Sequence, residues 1–195
     1  MKYLVHLTSP CYIMEKSGEF RDKISDDVID ISSNDLHCTI MSIRINPMDQ
    51  ERVVKELRCV GADTDKFTVK LGRVKRFNGS LAIEVENSNK LDELHRKVVE
   101  TLKGYIDRNE DPPEIPDELK NDTERVKTHK EYGSSFVMDF YRPHISVARV
   151  ENCGFLINEG FEPCYFLGDT FEVNEFSLSR RDLEEWGALE SFPLV

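Results

Sequence analysis

The stretch Asp35-Leu36-His37-Cys38-Thr39-Ile40-Met41-Ser42-Ile43 and its echo Arg142-Pro143-His144-Ile145-Ser146-Val147-Ala148 decide how this chain is read. Each contains His-x-[Thr/Ser]-aliphatic within a run rich in β-branched and other apolar residues, the composition of a buried strand. Successive side chains of a strand face opposite ways, so His37 and Thr39 share one face, and Arg142, His144 and Ser146 share another. Cys38 then turns away from its histidine neighbour and reads as core rather than as a nucleophile. His6-Leu7-Thr8 also fits His-x-Thr, but Ser9-Pro10 ends that strand, and His6 reads as a structural histidine near a cleft floor.

Two such faces brought together supply what phosphodiester cleavage needs. One group must take a proton from the attacking water or hydroxyl, and another must give one to the departing oxygen. Imidazole titrates near neutrality, so a neutral and a protonated histidine coexist there and divide the two transfers. A hydroxyl two residues on donates to a non-bridging phosphate oxygen, where charge builds up. No metal is implied, because a two-metal site would be built from carboxylates that these motifs lack.

The paired motifs, with the elements around them, resemble the 2H phosphoesterases, the LigT-like or 2′-5′ RNA ligase-like superfamily. Leu36-His37-Cys38-Thr39-Ile40 is similar to that family's first motif, and Arg142-Pro143-His144-Ile145-Ser146-Val147-Ala148-Arg149 to its second; the resemblance covers nearly the whole chain. It implies an α+β fold of two pseudo-symmetric lobes, antiparallel sheets with helices outside and a central cleft. It also implies a metal-independent phosphoesterase with His37 and His144 as the catalytic pair and Thr39 and Ser146 holding the phosphate. Arg142, sharing a face with His144, is a further candidate for phosphate contact. The reaction expected is opening of a 2′,3′-cyclic phosphate or hydrolysis of a 2′-5′ linkage. Ligation in the reverse direction uses the same acid and base; a non-catalytic module gripping an RNA end, or a protein in which both histidines are mere core, are the competing readings.

Composition narrows the partners. At 195 residues the chain suits a single domain, residues 1–195, with an acidic Pro-rich insertion near 107–135. The net charge of −11 argues against an extended nucleic-acid groove, so a short RNA end or a small nucleotide is the expected ligand. No run approaches a membrane span, and the opening Met1-Lys2-Tyr3-Leu4-Val5-His6 is strand-like rather than a signal peptide. Five cysteines without a Cys-x-x-Cys pair read as reduced thiols of a cytoplasmic protein. A monomer without a cofactor is expected.

Along the chain, the reading gives a strand over Tyr3 to Thr8, then a loop or poorly formed helix over 11–34, and the motif strand at 36–45. A helix over Gln50 to Cys59 is stopped by Gly61. A hairpin folds about Asn78-Gly79. Asn89 caps a second helix with Leu91, Leu94, Val98, Leu102 and Ile106 in stripe, and a short helix is expected near 117–130. His95 and His129 are expected on the surface. Residues Ser135 to Val150, Phe161 to Phe166 and Thr170 to Arg180 are expected to be extended, Ser179 and Arg180 being weak site candidates and the Trp186 tail packing outside. Tyr12, Phe77, Tyr132 and Tyr141 are candidates for stacking on a base.

Overall fold

Alternating apolar residues at the two motifs put a strand at each, and in the computed structural model these two strands lie side by side in the middle of one sheet. Residues 1–24, 28–30, 36–77, 79–86, 88–107, 115, 117–150, 163–182 and 185–195 are described. In chain order the elements are β1 (Lys2–Thr8), α1 (Cys11–Arg21), β2 (Val28–Asp30), β3 (His37–Arg44), α2 (Gln50–Ala62), β4 (Phe67–Phe77) and β5 (Ser80–Val85). There follow α3 (Asn89–Leu102), α4 (Thr123–Tyr132), β6 (His144–Val150), β7 (Thr170–Val173), β8 (Glu175–Asp182) and β9 (Glu185–Pro193). The sheet order is β7-β4-β5-β6-β3-β1-β8-β9, with β2 beside β6, and each described pairing is antiparallel. The motif strands β3 and β6 are thus the inner pair, flanked by β1-β8-β9 on one side and β5-β4-β7 on the other.

The first motif strand is not a simple alternation. Its partners on β1 run Val5 with Met41 and then His6 with Thr39, so Ile40 is an extra residue, a β-bulge. Cys38 and Ile40 are buried before it, Met41 and Ile43 after it, while His37 and Thr39 remain half-exposed. The Ile40-Met41 doublet is the mark in the sequence of that switch.

Helices cover the sheet. In α3 the residues Leu91, Leu94, Val98 and Leu102 are all buried, as their spacing requires, and full burial of each such side chain is worth about 1.5–3 kcal/mol. Its N-cap is Ser88, whose Oγ accepts from the Leu91 N–H at 3.2 Å; Asn89 is the first helical residue, not the cap. In α2 Val53, Leu57 and Val60 face inward, and the helix runs through Gly61 rather than stopping there. A Cβ on Gly61 would sit 2.8 Å from the Pro193 carbonyl and 3.3 Å from Phe192 Cβ, so glycine is present for the close approach of α2 to β9. Gly61→Ala should therefore destabilise by a net of about 1–2 kcal/mol, the clash outweighing the roughly 1 kcal/mol of helix propensity gained; a urea midpoint equal to or above wild type would refute this.

Several expectations are corrected. Residues 11–21 form a regular helix, since Ile13, Ser17 and Phe20 are buried along one stripe that the polar residues and Gly18 obscured. Met138–Phe140 is a single 3-10 turn with Met138 at φ 55°, so the approach to the second motif is bent and the strand begins only at His144. Residues 163–168 form turns, not a strand. The helix expected near 117–130 is α4, starting at Thr123 after a 3-10 turn.

His95 and His129 are buried, not on the surface. His95 falls on the inner stripe of α3, and the core tolerates its polarity because both ring nitrogens are satisfied. Its Nδ1–H donates to the Ile40 carbonyl at 2.9 Å, and its Nε2 accepts from the Met138 N–H at 2.8 Å. His129 is held by Ser135, with Nδ1 3.2 Å from the hydroxyl. Most of the Pro-rich segment at 108–114 and 116, residues 151–162, and the side chain of Trp186 lie outside the described residues. No helix of the described residues is long and apolar enough to cross a membrane.

Candidate active site

The site grows from the register of β3 on β6. Cys38 pairs with Ile145, and strand alternation turns the residues on either side of them, His37 and Thr39 on β3 and His144 and Ser146 on β6, to the opposite face of the sheet. The two histidines thus share one sheet face on adjacent strands, each with its own motif's hydroxyl on that face. Two motifs separated by more than a hundred residues are thereby brought to neighbouring strands. Thr39, His144, Ser146 and Arg142 line a cleft of about 250 Å³ whose walls include Phe77 and Tyr141. His37 is not among the residues that line this cleft; its ring meets that of His6 edge-on, centroids 5.2 Å apart.

The His144 and Tyr141 side chains are each held by a hydrogen bond. His144 Nδ1 is 2.8 Å from the Arg142 carbonyl, and since a carbonyl only accepts, Nδ1 carries the proton. That fixes Nε2 as the nitrogen free for a reacting group. The His144 ring lies against Phe77, centroids 4.2 Å apart. Tyr141, buried just ahead of the second motif, donates its hydroxyl to the Thr39 carbonyl at 3.1 Å and stacks on His95 at 3.8 Å, rings 1° from parallel. His95 in turn holds the Ile40 carbonyl, so a buried pair of rings pins the bend before β6 to the bulge in β3. Burial pushes the Tyr141 phenol well above its usual range, which keeps it a neutral donor.

Cys38 is fully buried and its thiol is pushed up to about 12 by burial, which removes it as a nucleophile, as its place in the alternation implies. His6 sits across from Thr39 on β1, its Nε2 2.9 Å from the Ser179 hydroxyl on β8. Burial, and then the neighbouring His37, lower its pKa to about 4, so it is neutral at physiological pH. Arg180 faces the other way: its Nη1 donates to Gln50 Oε1 at 3.2 Å on α2. Arg142 is exposed at the cleft mouth, its Nη1 donating to the carbonyls of Asp139 at 3.2 Å and Tyr141 at 2.7 Å.

Of the stacking candidates, Phe77 and Tyr141 reach the cleft. Tyr12 instead donates to the Thr170 carbonyl at 2.5 Å, and Tyr132 to Glu100 at 3.3 Å. The sequence underrated His6 and His95. The signal for His6 was its hydroxyl-bearing strand face; that for His95 was its phase within the α3 stripe.

The profile of the 2′-5′ RNA ligase superfamily matches residues 19–184 of the chain. No curated protein matches the sequence. Among solved structures, TT0787 of Thermus thermophilus is similar over 100% of this chain and 98% of its own, with a TM-score of 0.65 at 16% identity. E. coli LigT complexed with NADP+ is similar over 99% and 96%, TM-score 0.63 at 14% identity. Usb1 of Kluyveromyces marxianus is similar over 99% and 98%, TM-score 0.55 at 10% identity.

Proposed function

The chain belongs to the 2′-5′ RNA ligase superfamily, and from that premise we propose that it is a metal-independent phosphodiesterase of RNA ends or small nucleotides, working by paired-histidine acid-base catalysis. The substrate class is a 2′,3′-cyclic phosphate or a 2′-5′ linkage. In the first case water adds to phosphorus as one imidazole Nε2 takes its proton. The bond from phosphorus to the 2′- or 3′-oxygen then breaks as the other imidazolium protonates that oxygen. One proton is taken and one given, so the pair ends with its protons exchanged and is reset through solvent. Thr39 and Ser146 donate to the non-bridging oxygens, with Arg142 at the mouth drawing the anion in. The Nδ1–H of His144, resting on the Arg142 carbonyl, keeps its Nε2 presented in either role.

The observation that carries this reading is the Cys38–Ile145 pairing, which makes the two motifs neighbours on one face. LigT of the same fold has been crystallised with ATP and with 3′-AMP, which supports a nucleotide as ligand. The test is turnover of a short RNA ending in a 2′,3′-cyclic phosphate, beside a 2′-5′-linked oligonucleotide, in EDTA. Cleavage of either supports the proposal, and the better substrate narrows it; inertness towards both would sink it. Thr39→Val and Ser146→Ala should each lower kcat/KM by about 10- to 100-fold, the range of a lost oxyanion donor at its weaker end, with the far-UV spectrum unchanged. Rates within twofold of wild type would remove the hydroxyls from phosphate binding.

A further inference from the structure

His144, Phe77, Tyr141 and Arg142 form a wall shared by two adjoining clefts. The second, of about 260 Å³, is completed by Lys75 and Arg76 near the end of β4, with Glu84 and Pro143. Three cations thus gather at one opening of a chain whose net charge is −11. Lys75 is offset by Glu84, Nζ to Oε1 2.6 Å. The carbonyls that hold Arg142 are neutral and leave its charge uncancelled, and Arg76 is exposed. Three of the residues lining the second cleft are thus cationic and one, Glu84, is acidic, immediately beside the imidazole that also borders the first.

Resting on the reading above, we propose that this second cleft seats the phosphate next upstream of the scissile one, so that the substrate is an RNA end longer than a mononucleotide. A phosphodiester chain entering the first cleft past Phe77 places its next anion against Arg76 and Arg142. The net charge of −11 disfavours a longer groove that follows the backbone, so recognition is confined to a short segment. The guanidinium matches a phosphate's paired oxygens better than an ammonium does.

Binding tests this independently of turnover. Calorimetric titration would compare adenosine 3′-phosphate with the dinucleotide ApAp, its internal linkage guarded by a 2′-O-methyl group. ApAp should bind about tenfold more tightly, and its log-log salt dependence should be steeper by about 0.7, the increment for one added single-strand phosphate contact. Arg76→Gln should bring ApAp down to the affinity of the mononucleotide, and Arg76→Lys should recover part of the gain. Equal affinities in wild type, or a gain that survives Arg76→Gln, would overturn the proposal. A gain that behaves as expected in a protein that turns over neither test substrate would condemn the catalytic reading and leave this one standing.

A separate observation concerns His6. Ser179, His6 and His37 form a row across β8, β1 and β3, linked by the 2.9 Å hydrogen bond and the edge-on ring contact. We infer that His6 is a positioning residue that fixes the His37 ring for proton transfer, itself held by Ser179. Its neutrality near pH 7 suits a packing wall that does not compete for the proton. His6→Ala should lower kcat about tenfold with KM within twofold, because a misaligned proton carrier loses rate without losing substrate contacts. His6→Phe, keeping a ring against His37, should recover most of the rate, and the NMR titration of His37 should move in His6→Ala. A folded His6→Ala with unchanged kcat and unchanged His37 titration would overturn it.

Discussion

Alanine at His37 or at His144 should lower cleavage of a 2′,3′-cyclic phosphate by about 10²- to 10⁴-fold each, the range that general acid or base catalysis supplies. KM should change little, because an imidazole that moves a proton does its stabilising in the transition state. The double variant should fall far short of the product of the two single losses, since removing either member already breaks the exchange of protons between them. Both side chains are half-exposed on a sheet face whose reverse carries the core, so neither variant should unfold the protein. The measurement is single-turnover cleavage in EDTA with circular dichroism of each variant. A folded His144→Ala that retains wild-type rate would remove the paired-histidine mechanism. Loss in one variant only would reassign the second proton to water.

The largest effect on stability should come from His95→Ala. The substitution leaves the Ile40 carbonyl and the Met138 N–H unpaired in the core, each worth about 1–3 kcal/mol, and opens a void against Tyr141. A loss of about 3–5 kcal/mol is expected, a large part of an ordinary domain's stability. The thermal midpoint should fall by about 6–20 °C, at about 2–4 °C per kcal/mol for a chain of this size. Because Tyr141 and the bend at Met138 rest on the same ring, activity should fall with stability; a variant within about 1 kcal/mol of wild type would refute this account.

The same histidine makes folding acid-sensitive. Burial lowers the pKa of His95 from its ordinary 6.5 to about 4, and that of His6 likewise. Between those values the unfolded chain binds protons that the folded chain refuses. The stability of the native state is therefore full above about pH 6.5 and declines as the pH falls towards about 4, by about 1.4 kcal/mol per pH unit for each histidine. For His95 the cause is visible: a proton on Nε2 would expel the Met138 N–H that it accepts. Urea midpoints from about pH 7 to about pH 4.5 measure the slope, and His95→Ala should remove part of it; a flat profile for wild type would contradict both assignments.

The local elements were legible where one physical requirement governed them. The strand at His37 and its alternation, the apolar stripes of α2 and α3, and the turn after Phe77, with Gly79 at φ 78°, each follow from side-chain period or backbone sterics. Legibility failed where a long-range partner overruled the local signal. Gly61 reads as a helix stop but accommodates β9, and His95 reads as polar surface but is satisfied in the core by two backbone groups from distant segments. The α1 stripe was hidden because one of its three buried positions is Ser17.

By itself the sequence determined that each motif presents a histidine and a hydroxyl to one side, because strand alternation is a property of the local backbone. Only the tertiary structure decided that β3 and β6 are neighbours, that Cys38 meets Ile145, and that the bulge at Ile40 turns Met41 inward. Strand order and register are set by how apolar faces are buried between segments far apart in sequence, and no single segment contains that information.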